Sequence, residues 1–182
     1  MRFTRLVALV VAAFTAPLFA ARVGTSELDQ SQHAMHAQIP PRLVDLVRQA
    51  TQPFRDVPPE GYGQFLGCVS GPEQGAMGVH FVNLGLVGDG ELDPHHPEAL
   101  IYEPKDGRLT LVGVEYIVPV DLWYANPEHK SPPVLEGQLL QLVDSPNRFG
   151  LNPFYELHVW AWRENPNGAF VDWNPHVSCE GQ

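Results

Sequence analysis

The chain has 182 residues, enough for one domain with a real core, and its 11 Lys and Arg against 21 Asp and Glu give a formal net charge of −10 at pH 7. An acidic chain with no basic run repels nucleic acid and anionic lipid, so neither is expected as a partner. Its 18 prolines and 16 glycines argue against long helices.

In chain order, Met1-Arg2-Phe3-Thr4-Arg5 is a basic opening, Leu6 to Ala20 is apolar, and small residues follow at Ala20 and Ala21. That pattern predicts a secretory signal peptide over residues 1–21, too short for an ordinary membrane span. The expected location is therefore the periplasm or the medium, with no membrane partner after cleavage. Removing Arg2 and Arg5 with the leader makes the chain more acidic still. Residues 22–40 are polar and read as a flexible lead-in, and residues 41–182 as a single globular domain.

Within the domain, Leu43, Leu46 and Val47 recur at helical spacing between Pro41 and Pro53, which predicts one helix from Arg42 to Thr51. The remainder reads as strands and turns. "AMGVHFVNLGL" is a strand segment, and "EALIYEPKDGRLTLVGVEYIVPV" is a hairpin around Lys105-Asp106-Gly107-Arg108. Residues 119–134 read as a Pro-rich loop, "GQLLQLVDSP" as a further strand, and "FYELHVWAWR" as the last one, ended by "ENPNG". One helix followed by mostly antiparallel strands gives an α+β or mainly-β domain, built on a curved antiparallel sheet or a small barrel.

Export to an oxidising compartment makes a disulfide between the two cysteines, Cys68 and Cys179, the default expectation. Such a bond would tie the C-terminus to the strand region after Gly67. A thiolate metal site is the weaker alternative, because the two cysteines lack the paired short spacing of zinc sites.

Alternate residues of a strand share a face. On 155–162, Tyr155, Leu157, Val159 and Ala161 form an apolar side, leaving Glu156, His158, Trp160 and Trp162 on the other. On 109–118, Glu115 shares its side with Leu109, Leu111, Gly113 and Ile117, while Tyr116 takes the opposite one. A strand apolar on both faces is central and buried. A carboxylate there is costly unless it is paired or ligating. His80 likewise sits mid-strand between Gly78 and Val82.

Two imidazoles and a carboxylate from three apolar runs are a ligand set for zinc, iron, manganese or copper, if a curved sheet brings His80, Glu115 and His158 together. Glu156 and Tyr116 would then be supporting or acid–base groups, and Trp160 and Trp162 would wall the site. The competing reading is a buried Glu–His pair kept for structure. Pairing of Glu103 with Glu115 is a further open possibility for carboxylate chemistry. Trp160, Trp162 and Trp173 either line a groove for a flat ligand or fill the core. His33 and His36 fall in the lead-in, and His95, His96 and His129 in loops. His176 stands near Cys179. No nucleophile elbow, phosphate loop, dinucleotide fingerprint or H-E-x-x-H helix is present in the sequence.

The blocks "GVHFVN", "LVGVEYIVP" and "YELHVWAWRENPNG", with "NPHVSC" closing the chain, resemble a family of small exported bacterial proteins of unassigned activity. The resemblance covers roughly residues 57–179. It implies a single domain with Cys68 paired to Cys179, and no activity. The expected function is a cell-envelope β domain that binds a small molecule or a divalent metal ion. A metal-dependent enzyme and a non-catalytic interaction module are the alternatives.

Overall fold

A computed structural model describes residues 41–71 and 73–182. The expected signal peptide and lead-in, with His33 and His36, lie outside the described residues. Helix α1 spans Arg42–Thr51 and runs into a 3-10 turn at Gln52–Phe54. Nine strands follow among the described residues. They are β1 (Gly63–Gln64), β2 (Val69–Gly71), β3 (Gly75–Val82), β4 (Ala99–Lys105), β5 (Arg108–Pro119), β6 (Val134–Leu135), β7 (Gln138–Leu139), β8 (Gln141–Val143) and β9 (Phe154–Val159). Short helices α2 (Leu84–Val87) and α3 (Val120–Ala125) interrupt them.

Every strand pair is antiparallel. The main sheet runs β1-β3-β4-β5-β9-β8, with β2 on the same outer edge of β3 as β1, and β6 and β7 form a separate hairpin. The sheet is mainly β in class and stays open between β1 and β8, so the small-barrel alternative falls. The β4–β5 turn follows from its sequence: Asp106 (φ 51°) and Gly107 (φ 71°) are both left-handed, the geometry a two-residue hairpin needs. Two of the departures from the expected strands and loops have local causes. Asn83 accepts hydrogen bonds from the backbone N–H groups of Gly85 and Leu86, which ends β3 and starts α2 inside "VNLGL". Val120–Ala125 forms α3 within the segment expected to be Pro-rich loop, because its prolines lie outside those six residues.

The two faces of the sheet are packed differently. On one, Leu43, Val44 and Val47 of α1 bury against Leu100, Tyr102, Val114, Tyr116, Val118, Tyr155, Leu157 and Val159. Each such aliphatic side chain contributes about 1.5–3 kcal/mol by leaving water. On the other, one end is closed by Ala76, Ile101, Val112, Trp160 and Val177. The Cys68–Cys179 disulfide, spanning 111 residues, ties the C-terminal segment to the start of β2.

A bulge in β5 changes the expected facing. Ile101 pairs with Gly113 but Tyr102 pairs with Leu111, so Val112 is the extra residue. Leu109 and Leu111 therefore pack with the α1 side, and Val112 with the Trp160 side. The alternation expected for Leu109 and Leu111 holds only beyond the bulge, where Glu115 and Ile117 remain together. Gly113 sits at this bulge because a Cβ there would stand 2.7 Å from the Val159 carbonyl oxygen. No described helix is long and apolar enough to cross a membrane.

Candidate functional site

The far end of the second sheet face holds a polar cluster in an apolar surround. The ladder places Val82, Ala99, Glu115 and His158 in one row across β3, β4, β5 and β9. His80 stands two rungs along, opposite Ile101, and so shares the face of Val82. Neighbouring strands are about 4.8 Å apart, so His80 and His158 start far from each other. Ala99, between Val82 and Glu115 in that row, carries only a methyl group. His80 Nε2 reaches 3.5 Å from His158 Nε2 and 3.4 Å from Glu115 Oε2. All three residues are buried, and one ligand atom from each lies within 4.8 Å of the others.

Burial sets their protonation. Desolvation pulls His80 down to about 4, against a hydrogen bond with the Gly78 backbone that raises it. Desolvation, then the neighbouring His80, holds His158 well below the ordinary imidazole value. Both rings are thus neutral at pH 7 with nitrogen lone pairs to offer. Desolvation and the Glu156 carboxyl together push Glu115 well above the usual carboxylate range. Glu156 is itself pushed up to about 7, chiefly by desolvation. The two carboxyls interact directly, so burial forces protons onto a pair that a cation would otherwise balance.

His158 Nδ1 is buried without a hydrogen-bond partner. Asp172 Oδ1 stands 3.7 Å away, one small adjustment from accepting its proton. Asp172 belongs to the loop that folds back after β9, and sequence reasoning did not find it. Nothing in "AFVDWNP" marks it except its acidity.

The cluster forms the polar floor of a cavity of about 50 Å³. Ile117, Phe149 and Phe154 are among its apolar walls, and Phe65, Leu66 and Leu151 stand at its mouth, 43%, 42% and 39% exposed. The adjoining disulfide at Cys68 anchors the Phe65–Leu66 wall.

Other expected site residues are placed elsewhere. Tyr116 lies in the α1-side core, its hydroxyl donating to the Pro94 carbonyl at 2.7 Å, and takes no part in the cluster. Trp160 stacks beside His158, with ring centroids 6.2 Å apart, but its indole is core filler that donates to the Val171 carbonyl. Trp162 is on the opposite side, because β9 ends at Val159 and a tight turn resets the alternation. Its Nε1 donates to Thr51 Oγ1 and Arg55 stacks on its ring. Trp160 and Trp162 therefore do not wall the cluster; together they line a separate depression beside α1, and Trp173 lines another. Glu103 binds Arg163 and accepts from the Ser178 N–H, so Glu156 rather than Glu103 is the partner of Glu115.

His95 and His96 bracket Asp93 in an exposed turn. His129 stacks on Trp123, and His176 faces the Glu164 carbonyl.

A further buried carboxyl stands apart from the cavity walls. Glu98 accepts from the Ile117 N–H at 3.0 Å, and burial, with lesser contributions from Asp89 and Asp93, raises it to about 8. A folded-state value above the unfolded one stabilises fully below about pH 4.5 and loses that stabilisation as pH rises through about 8. Glu98→Gln keeps an acceptor for Ile117 and removes the titration. At pH 9 the variant is expected to be more stable than the native protein by on the order of 2 kcal/mol, with little difference at pH 5. Urea unfolding at both pH values checks this.

A scan against protein-family models, a search of curated proteins and a search of solved structures each found no match to this chain.

Proposed function

We propose that this protein is an exported β domain that binds one divalent transition-metal ion through His80, Glu115 and His158. The observation that carries the reading is that one ligand atom each from His80, Glu115 and His158, on three strands, lies within 4.8 Å of the other two. Two ligand atoms each about 2.1 Å from a tetrahedral ion stand about 3.4 Å apart, and for an octahedral ion about 3.0 Å. The 3.5 Å and 3.4 Å separations are of the size that ligands of one ion adopt, and two neutral imidazoles with a carboxylate suit zinc. The unpartnered His158 Nδ1 and the nearby Asp172 supply the usual outer support of a metal-bound imidazole.

A second reading, a metal-dependent enzyme, draws on the cavity: three protein ligands leave a fourth position for water or substrate, and the three residues line a cavity that opens between them and the rim. The structural-module alternative has no comparable observation behind it.

Elemental analysis of untagged protein, purified from its native compartment, tests the proposal beside His80→Ala, Glu115→Ala and His158→Ala. About one equivalent of zinc is expected in the native protein, and loss from each folded variant. No metal, even after reconstitution, would overturn it. Asp172→Asn is expected to weaken zinc about 10–100-fold while leaving the fold intact, as read by competition with a chromogenic chelator.

A further inference from the structure

The cavity above the cluster has a chemical character of its own. Its floor carries two carboxyls, Glu115 and Glu156, and two imidazoles, and no cationic side chain lines it. Its upper part is apolar, with aromatic rings at Phe149 and Phe154 and exposed aliphatic groups at Leu66 and Leu151. An enclosed volume of about 50 Å³ admits a small head, and the half-exposed rim gives an attached tail apolar surface to lie on.

With the ion bound, its two positive charges are balanced by the Glu115 and Glu156 carboxylates, so an anionic head would add a buried negative charge with no lysine or arginine to offset it. A purely apolar ligand would leave the floor groups dry and unpaired. A neutral head satisfies both limits. It would pair an oxygen donor for the metal with an adjacent N–H or O–H for Glu156.

Resting on the metal reading above, we infer that the cavity is a binding site for a small neutral molecule bearing a carbonyl oxygen beside an N–H or O–H, such as a primary amide, on an apolar tail. Glu156 accepts the head's hydrogen bond, and the Phe65–Leu66 and Phe149–Leu151 walls hold the tail. The disulfide at Cys68 fixes one of those walls, so the pocket is built before the ligand arrives.

The test uses full-length mature protein loaded with cobalt(II), whose visible spectrum reports both coordination and any change in it. Benzamide is expected to shift the cobalt bands saturably, and benzoate, of the same shape but anionic, to bind at least tenfold more weakly. Leu66→Ser and Leu151→Ser, both at the exposed rim, are expected to weaken benzamide several-fold without altering the ligand-free spectrum. Benzoate binding as tightly as benzamide would overturn the inference, as would a bound-cobalt spectrum that neither compound changes. Absence of any bound-cobalt spectrum would remove the metal reading and this one together.

Discussion

Replacing Glu115 by methionine is expected to stabilise the metal-free protein and abolish its response to zinc. Glu115 is buried against Glu156 and two neutral histidines, so without a cation its carboxyl is held in a costly environment. An apolar side chain of similar length removes that cost, and gains on the order of 1–3 kcal/mol are typical of such exchanges. Native protein stripped of metal should instead gain stability when zinc is restored. At a free zinc concentration one hundred times its dissociation constant the gain is about 2.7 kcal/mol. For a domain of this size that is a rise in Tm on the order of 5–10 °C. Calorimetric scans of both proteins, with and without zinc, give the four values needed. A structural Glu–His pair predicts the reverse pattern, with Glu115→Met destabilising and zinc without effect on either protein.

The second large effect is expected at the disulfide. Cys68–Cys179 joins residues 111 apart, and in the chain-entropy model a closure of that length is worth about 4–5 kcal/mol. The double variant Cys68→Ala, Cys179→Ala should lose about that much, a large share of the stability of an ordinary domain. The loss has a functional side. Cys68 follows Phe65 and Leu66 closely, and Cys179 packs against the Ala76, Ile101, Val112, Trp160 and Val177 cluster. Releasing the tie frees one wall of the cavity from the sheet. Urea denaturation of oxidised, reduced and double-variant protein checks the stability. A midpoint that does not move on reduction would show that packing of the C-terminal segment, rather than the covalent link, holds this end.

Much of this was legible in the residues themselves. The helix from Arg42 to Thr51 has a complete apolar stripe between two prolines, and the structure places a helix over that span. The Asp106-Gly107 turn has a local cause in positive φ. His80, Glu115 and His158 stood out because each is polar within an apolar strand, and the structure brings all three together. What could not be read was anything decided by a change of register. The bulge at Val112 is a property of how β4 and β5 pair, so plain alternation puts Leu109 and Leu111 on the wrong face. Alternation carried past Val159 puts Trp162 beside His158, but the chain already turns there. Tyr116 was read on the face opposite Glu115, and that facing rules out the supporting role also expected of it. Asp172 and the Phe65–Leu66 and Phe149–Leu151 walls come from loops, where periodicity carries no information.

The central claim is that His80, Glu115 and His158 hold one metal ion, and X-ray absorption at the zinc edge of reconstituted protein tests it most directly. The account predicts a four-coordinate ion with two imidazole nitrogens and oxygen donors at about 2.0–2.2 Å, and loss of one imidazole in His158→Ala. A spectrum lacking imidazole scattering, or one left unchanged by that substitution, would contradict it.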